Sequence, residues 1–454
     1  MRPLLVYDAG PGEAEAAARR VGRELPAWPE GAWVYLSGFL IEALDEPAAE
    51  AIAERAAGGR LELLGGGLYS PYLPLLPERD AAWQLSDMAD LLEERFGVEV
   101  QGAFLPDGAF DLTLVPTLAE EGYTYALLPQ AALAEPAYAG LEDRGVWLLP
   151  YRPEGDGYRV IEGPRRPRAP FPAAYVRGAA HPRLLPRQNP AAADLFAKMR
   201  WVSDKLEEAH RPPEAAYQRL YRGQWGPAYR GRDPAAWAYA WRQLLAAENL
   251  CDPRKYAWLE IELYDMDADG FAEVVVESHT LNLYLRPAEG GRLFALDVRE
   301  GERPLLGGRS LGARWQREGG GAFDFGALPF EASKYRDRIH LYAEADGYAL
   351  KTTLRLRPKA PGLDLEWRLG LGRSRPEAGT FWVEFALAAE APDAEGEDAT
   401  LALPELGLTL AAPRPFRYHR RGRALAIGFP AQLAPGAGRR FRLRLSVEDR
   451  APAG

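Results

Sequence analysis

The sequence has a single cysteine, Cys251, and only five histidines among its 454 residues. One cysteine excludes an intrachain disulfide and a cysteine-based metal cluster. No apolar run reaches the roughly 18 residues of a transmembrane helix, so the sequence contains no candidate membrane span. The start of the chain, MRPLLVYDAGPGEAEAAARR, lacks the apolar core and the small-residue cleavage site of a secretory signal. We therefore expect a cytoplasmic protein.

Positive charge is also in short supply, with 55 Lys and Arg against 65 Asp and Glu. The net charge of −10 and the pI of about 5.3 argue against nucleic acid and anionic membrane as partners, because both bind basic surfaces. Lysine occurs at only six positions, whereas arginine, alanine, glycine and proline are abundant. This composition is typical of a GC-rich genome and resembles that of a thermophile.

Residues 1 to about 153 alternate short apolar runs with helix-like segments. The runs that predict strands are Leu4–Asp8, Trp33–Ser37, Leu61–Leu64, Gly102–Leu105, Tyr123–Leu128 and Val146–Pro150. The segments that predict helices are Glu13–Arg23, Ala48–Ala57, Asp80–Phe96 and Leu112–Glu121. This alternation predicts a parallel sheet or barrel, in which ligands bind at the carboxyl ends of the strands. Asp8, Ser37, Ser70 and Asp107 are all predicted at that edge.

The remainder of the chain changes character twice. Residues 154–188 are rich in Pro, Arg and Gly and predict an irregular crossing segment, and Asn189 and Pro190 then predict the start of a helix. From about Trp258 the apolar period becomes two, as in RRFRLRLSVED, and about a dozen such runs predict a large β-sandwich. We therefore expect a truncated barrel in residues 1–185, a short helical region in 186–255 and the sandwich in 256–454.

Five stretches, in this order, resemble the 4-α-glucanotransferase branch of glycoside hydrolase family 57. They are VYLSGFLIEAL, LELLGGGLYSPYLPLLPERD, GAFLPDGAFDLTLVPTLAEEGYTYALL, QWGPAYRG and YDMDADGFAEVVVES. The resemblance covers most of the chain. It implies an incomplete (β/α)7 barrel, a helical segment, a C-terminal β-sandwich and an association with α-1,4-glucans.

The residues that carry catalysis in the resembled family are altered here. The nucleophilic Glu of the family corresponds to Asp107, which is one methylene shorter, and the Glu of the tyrosine-containing segment corresponds to Ser70. The Trp-His pair of the family is Trp225-Gly226 in this chain. The motif that holds the proton-donor Asp has no counterpart, and the segment that would contain it is missing before the helical region.

The chemistry of the resembled family requires two carboxyl groups about 5–5.5 Å apart. A shorter nucleophile misplaces the attacking oxygen by roughly an ångström, which costs on the order of 10²-fold in rate. Loss of the proton donor removes a further factor of roughly 10²–10⁴. These changes favour an inactive barrel. A rebuilt site that pairs Asp107 with Asp8 is an alternative, and so is a turn role for both residues beside Gly10 and Gly108.

Four aromatic residues lie in segments that line the cleft of the resembled family: Tyr69, Tyr72, Trp225 and Tyr229. Sugar rings stack on flat apolar faces, so we expect these side chains to bind saccharide. Packing in the core is the alternative explanation, because large aromatic side chains are usually buried.

The pattern D-x-D-x-D-G-x-x-E runs through Asp265, Asp267, Asp269 and Glu273. Alternating aspartates in a tight loop direct their carboxylates toward one point, and Ca²⁺ prefers such oxygen ligands. The sequence therefore predicts a structural calcium site, with a solvated acidic turn as the alternative. It gives no sign of an organic cofactor.

Three functional hypotheses follow. The leading one is a carbohydrate-associated pseudoenzyme that binds α-glucan or maltooligosaccharide, or assists a glucan-processing enzyme, without cleavage. The second is an active α-1,4-glucan transferase or hydrolase that uses Asp107 and an unrecognised acid. The third is a structural partner that buries its altered cleft against another chain, such as a second copy of itself.

Overall fold

The computed structural model describes residues 2–141, 144–155, 157–161, 173–179, 181–252, 256–357 and 361–448. The chain divides into two compact units, Met1–Leu244 and Leu245–Gly454. The predicted helical region, residues 186–255, thus falls mostly within the first unit. Within the described part of the chain, no helix combines the length and the apolar character needed to span a bilayer.

The first unit alternates strands and helices. Its strands are β1 (Arg2–Tyr7), β2 (Ala32–Leu36), β3 (Leu61–Leu64), β4 (Gly102–Phe104), β5 (Phe110–Asp111), β6 (Tyr125–Pro129), β7 (Ala137–Leu141), β8 (Arg144–Glu154), β9 (Gly157–Val160) and β10 (Ala174–Tyr175). Its helices are α1 (Ala14–Glu24), α2 (Gly38–Ala43), α3 (Glu46–Ala57), α4 (Glu78–Phe96), α5 (Leu114–Glu120), α6 (Pro190–Glu208), α7 (Glu214–Gly223) and the greater part of α8 (Pro234–Cys251). The predicted alternation of strand and helix is confirmed.

Seven of these strands form a closed ring. Strands β3, β2 and β1 are parallel neighbours, as are β8, β6 and β4. A parallel bridge from Gly65, just after β3, to Ala103 of β4 joins the two sets on one side. On the other side β9 pairs antiparallel with both β8 and β1. The predicted truncated (β/α) barrel is confirmed, and one antiparallel strand closes it.

The prediction of an irregular crossing segment at residues 154–188 was wrong where β9 and β10 occur. Only Val160 of the short strand Gly157–Val160 is buried, so the apolar alternation that marks a strand is missing from the sequence. Pairing with β1, which is distant in sequence, makes this stretch a strand. Residues 162–172 of the predicted crossing segment lie outside the described residues.

Local signals explain where several helices begin and end. The side chain of Asp45 accepts a hydrogen bond from the amide of Ala48 and caps α3, and Asn189 caps α6 by accepting from Ala191. Helix α4 ends at Gly97, whose φ of 68° is left-handed. Every residue of β2 and β6 is buried, as is typical of parallel strands covered on both faces.

The second unit consists almost entirely of antiparallel strands. Its first sheet contains β11 (Leu259–Tyr264), β12 (Glu273–Ser278), β13 (Leu281–Arg286), β14 (Arg292–Val298) and β15 (Arg303–Pro304). Its second sheet contains β16 (Gly312–Arg317), β17 (Ala322–Asp324), β18 (Glu331–Lys334), β19 (Arg338–Ala345), β20 (Tyr348–Leu356), β21 (Gly362–Leu371), β22 (Glu377–Ala386), β23 (Ala394–Leu403), β24 (Leu408–Arg421), β25 (Ala424–Leu433) and β26 (Gly438–Val447). The predicted strand-rich C-terminal region is confirmed.

The second sheet has the order β17-β16-β22-β25-β24-β26-β21-β20-β19-β18, with β23 paired to β24. Both sheets contribute to one apolar core, so they form a β-sandwich. Strands β19 and β20 make the predicted hairpin, in which Asp346 and Gly347 have φ of 51° and 76°. Positive φ at both central residues gives the turn the backbone twist of a tight hairpin.

Candidate functional site

The carboxyl ends of the first parallel strands bring the predicted polar residues to one edge of the barrel. Ser37, which follows β2, donates its backbone N–H to the carbonyl of Tyr7 at 3.1 Å. Its hydroxyl donates to the carbonyl of Ala9 at 2.9 Å and accepts from the amide of Ala9 at 3.2 Å. These contacts fix the loop that begins with Asp8. Ser37 therefore supports the backbone of the site.

Asp107 follows β4 in a left-handed backbone conformation, with φ of 51°. Its Oδ2 accepts a hydrogen bond from the Tyr72 hydroxyl at 2.5 Å and another from Nη2 of Arg230 at 2.8 Å. Nε of Arg230 also donates to the Tyr72 hydroxyl at 2.6 Å. Arg177 lies farther away, with its Nε 3.8 Å from Oδ1. Two cations and a phenol thus surround one carboxyl group.

Asp8, directly after β1, occupies the same edge. Its Oδ1 accepts a hydrogen bond from the Ser70 hydroxyl at 2.5 Å, and the Tyr35 hydroxyl lies 3.0 Å from that of Ser70. Asp8 keeps solvent-accessible surface, yet protein atoms surround its carboxyl group as densely as in the interior.

The surroundings of Asp8 raise its pKa to about 6, mainly through burial. The hydrogen bond from Ser70 opposes this rise, and the negative charges of Asp107 and Glu13 add to it. The charge of Asp107 therefore acts on Asp8, so the two predicted carboxyl groups belong to one electrostatic site. Two carboxyl groups in one site, one of them with a raised pKa, are suited to general acid–base chemistry.

Trp225 lies next to the Asp8 loop and to the turn of Ser70 and Pro71. A bridge pairs it with Pro71, and the following residue, Gly226, donates its amide to the carbonyl of Ser70 at 3.2 Å. Its indole packs so closely on Gly10 that a Cβ there would lie 2.4 Å from Cζ2 of the indole. Trp225 is only partly buried. It is therefore the predicted aromatic residue whose ring offers surface to a ligand at this edge.

The three predicted tyrosines are each only 1% exposed. Tyr69 donates its hydroxyl to Glu42 at 2.5 Å, and Tyr229 donates to the carbonyl of Gly223 at 2.8 Å. Tyr72 orients Asp107, as described above. Their rings have no free face for a sugar in this conformation. Saccharide binding by these residues stays a prediction. Of the four predicted aromatic residues, Trp225 is the one best placed to bind a sugar.

Two arginines of the site, Arg230 and Arg177, were not predicted from the sequence. Arg230 belongs to the stretch QWGPAYRG, which was noted for its tryptophan, and no spacing rule relates it to Asp107. A short 3₁₀ helix, Gly226–Arg230, places the guanidinium against the carboxylate. Only one argument could have anticipated an arginine here: a partly buried carboxylate such as Asp107 needs a cationic partner.

In the second unit, the carboxylates of Asp265, Asp267 and Asp269 lie within 4.8 Å of one another. Oδ1 of Asp267 is buried without a hydrogen-bond partner among the described residues, which suits a metal ligand. Glu273 does not join this group, since its Oε1 accepts from Nη1 of Arg286 at 2.9 Å. The same guanidinium nitrogen binds Oδ2 of Asp267 at 2.9 Å, so part of the negative charge is already neutralised. Calcium at this loop stays a prediction.

Residues 32–160 match the model of glycosyl hydrolase family 57, and residues 265–307 match that of the alpha-amylase/4-alpha-glucanotransferase C-terminal region. Over 134 residues the chain is 28% identical to alpha-amylase 1 of Dictyoglomus thermophilum. It is 29% identical over 134 residues to an alpha-amylase of Pyrococcus horikoshii. These matches cover 29% of this chain and 19% and 20% of the relatives, so the chain spans about a fifth of their length.

Among solved structures, the chain is similar to 4-alpha-glucanotransferase from Thermococcus litoralis, with a TM-score of 0.77 and 14% identity. The superposition covers 99% of this chain and 100% of that chain. At this level of identity the similarity concerns the fold. It confirms a barrel of the (β/α)7 type followed by a β-rich C-terminal region.

Proposed function

We propose, from the match of residues 32–160 to the model of glycosyl hydrolase family 57, that the chain binds α-glucan at the carboxyl edge of its barrel. We further propose that it does so without cleaving the glucan by the mechanism of its family.

The observation that carries the proposal is the antiparallel strand β9 in the barrel wall. It follows β8 and pairs with it, whereas the proton donor of the resembled family lies on a later strand. Because β9 is antiparallel to its neighbours, its amino end faces the edge where the other strands present their carboxyl ends. Among the described residues, no further parallel strand follows β8 in the wall to present a strand end for that donor.

The state of Asp107 supports the same proposal. Hydrogen bonds from Tyr72 and Arg230 converge on one of its oxygens, and charge-assisted bonds of this kind stabilise the ionised carboxylate. Attack on a sugar would have to weaken these bonds, and it would start from a side chain one methylene shorter than that of the family nucleophile. Asp107 and Arg230 are both partly exposed and are suited to bind sugar hydroxyls, with Trp225 as a stacking surface nearby.

Calorimetric titration with maltoheptaose, followed by product analysis of the same mixture, tests the proposal. We expect binding without shorter or longer saccharides. Trp225→Ala should weaken binding by about tenfold, because stacking on an aromatic face contributes on the order of 1 kcal/mol beyond the area that it buries. Trp83→Ala is the matched control. Trp83 belongs to α4, is 37% exposed and is not among the residues predicted at the carboxyl edge of the barrel.

Two results would contradict the proposal. Equal affinity losses in the Trp225 and Trp83 variants would show that the carboxyl edge is not the binding site. Formation of new saccharides by the unaltered protein would show that the barrel is catalytic.

A second function, cleavage by a rebuilt acid pair, is favoured by one observation. The pKa of Asp8 rises to about 6 through burial and through the charge of Asp107, so Asp8 can act as the proton donor beside the carboxyl group of Asp107. Here we expect maltoheptaose turnover that falls as pH rises above about 6 and disappears in both Asp8→Asn and Asp107→Asn. Turnover that survives in either variant would rule out this pair.

A further inference from the structure

The solvent face of the larger sheet of the sandwich carries a groove of about 750 Å³. It runs across β19, β20, β21, β26 and β24. Seven of its lining residues are Lys or Arg, whereas only two, Asp364 and Glu366, carry carboxylates. In a chain with a net charge of −10, such a concentration of positive charge is unusual.

Three of these cations stand side by side on adjacent strands. Lys351 on β20 is directly opposite Arg368 on β21, which is directly opposite Arg440 on β26. Neighbouring strands are about 4.8 Å apart, and like charges placed directly opposite each other destabilise a sheet. We name Lys351, Arg368 and Arg440 the cationic row.

Little in the described structure neutralises the cationic row. Among the residues that the structure describes, Lys351 and Arg368 form no ion pair, and Arg440 reaches Glu366 only at 3.9 Å. The two carboxylates of the groove are engaged elsewhere, since Glu366 accepts from Arg442 at 2.7 Å and Asp364 from Arg444 at 2.8 Å. The described residues therefore do not offset the repulsion within the cationic row, and a bound anion would offset it.

The backbone beneath the row is rigid. Leu350, Leu369 and Phe441 alternate with the cations and lie in the sandwich core, each at most 6% exposed. Long antiparallel pairing joins β20, β21 and β26 on both sides. The three cationic side chains thus rise from fixed positions, which keeps their charges together in the absence of a ligand.

We propose that the cationic row binds a ligand that carries two or more phosphate groups. Guanidinium groups bind phosphate through paired hydrogen bonds, and the spacing of the strands lets adjacent phosphates contact adjacent cations. A volume of about 750 Å³ suits a small molecule. Asp364 and Glu366 interrupt the positive surface beside the row, so a long polyanion such as nucleic acid is disfavoured.

The phosphate groups could be carried by a sugar or be free in solution. Glucose 1,6-bisphosphate represents the first source and inorganic tripolyphosphate the second. Calorimetric titration of the full chain with each probe distinguishes them, and orthophosphate serves as the single-phosphate reference. We expect at least one probe to bind more tightly than orthophosphate, and its affinity to fall between about 25 and 150 mM salt, because salt screens exposed charges.

Arg368→Gln and Arg440→Gln each remove one charge from the row. Each should weaken binding of the probe by about tenfold, the usual effect of losing one charge-assisted hydrogen bond. Arg421→Gln is the matched control, since Arg421 is an exposed residue of β24 outside the groove. It should leave the affinity unchanged.

Thermal unfolding without ligand separates binding from a structural role. Removing one of three opposed cations relieves repulsion, so Arg368→Gln should unfold at the same temperature as the parent protein or at a higher one. A lower unfolding temperature would mean that Arg368 stabilises the sheet, and it would overturn the argument.

Three further outcomes would also overturn the proposal. These are no binding of either probe above the orthophosphate level, an equal loss of affinity in Arg421→Gln, and binding of polyglutamate in place of phosphates. The last would assign the groove to an acidic protein partner. None of these results depends on whether the barrel binds glucan, because the groove lies wholly within the second unit.

Discussion

Nη2 of Arg230 donates to Oδ2 of Asp107 at 2.8 Å, although 123 residues of sequence separate the two side chains. The Tyr72 hydroxyl donates to the same oxygen at 2.5 Å and accepts from Nε of the same guanidinium at 2.6 Å. Three groups from three segments thus form one closed network around a single carboxylate. Asp107 is the anchor of this network, and the energetics of its contacts can be measured.

Arg230→Met should lower the free energy of unfolding by about 2–3 kcal/mol, because it leaves a partly buried carboxylate without its closest cation. Urea unfolding measures this change. Arg177→Met is the matched control, since this cation is 3.8 Å away and 58% exposed, and it should cost less than about 0.5 kcal/mol. In the double variant Arg230→Met/Asp107→Asn the loss should be smaller than the sum of the single losses. Additive losses would mean that the two residues do not interact.

Gly10→Ala should disturb the position of Trp225, because the new Cβ would lie 2.4 Å from Cζ2 of the indole. Overpacking of this kind costs about 1–3 kcal/mol, and we expect weaker maltoheptaose binding than in the parent protein. Gly12→Ala is the control two residues along, where a Cβ would meet nothing within 4 Å. Equal maltoheptaose affinities in the two variants would show that Trp225 does not take part in saccharide binding.

Asp8 should make stability depend on pH. Its pKa rises from an ordinary value of about 4 to about 6 in the folded chain, mainly through burial, so the folded state binds the proton more tightly than the unfolded state. The contribution of Asp8 to stability is therefore lost as pH rises from about 4 to about 6. Asp8→Asn should raise the unfolding temperature relative to the parent at pH 7, and the difference should vanish near pH 4. A difference that is independent of pH would contradict the raised pKa.

Calcium at the acidic loop should raise the thermal unfolding temperature. A ligand present at 100 times its dissociation constant stabilises the folded state by about 2.7 kcal/mol, so an increase of several degrees over an EDTA-treated sample is expected. Asp267→Asn should abolish the increase, because it removes an oxygen of the three-carboxylate group. Glu318→Gln, at an exposed site in the same unit, is the control. No effect of calcium would mean that Arg286 and the loop amides suffice to hold these carboxylates.

Local sequence patterns specified most of the secondary structure. The hydrophobic period separated strands such as β2 from helices such as α4, and the change of period near Trp258 marked the start of the sandwich. Turn and cap residues, among them Asn189, Asp346 and Gly347, act within a few residues of their own position. Such features are visible in sequence because their physical cause is local.

The candidate site was visible only in part. Asp8 and Asp107 could be placed at one edge, because parallel strands direct their carboxyl ends the same way. That Asp107 would be bound by Arg230, and that its charge would act on Asp8, depends on how distant segments meet in space.

The sequence by itself determined the order of barrel and sandwich, and it predicted that Asp107 takes the nucleophile position of the resembled family. Only the tertiary structure decided that β9 closes the barrel, that Tyr69 and Tyr229 are buried, and that three cations align across β20, β21 and β26. The reason is physical. Periodicity and turns follow from neighbouring residues, whereas strand pairing, burial and charge alignment are set by contacts between residues far apart in the chain.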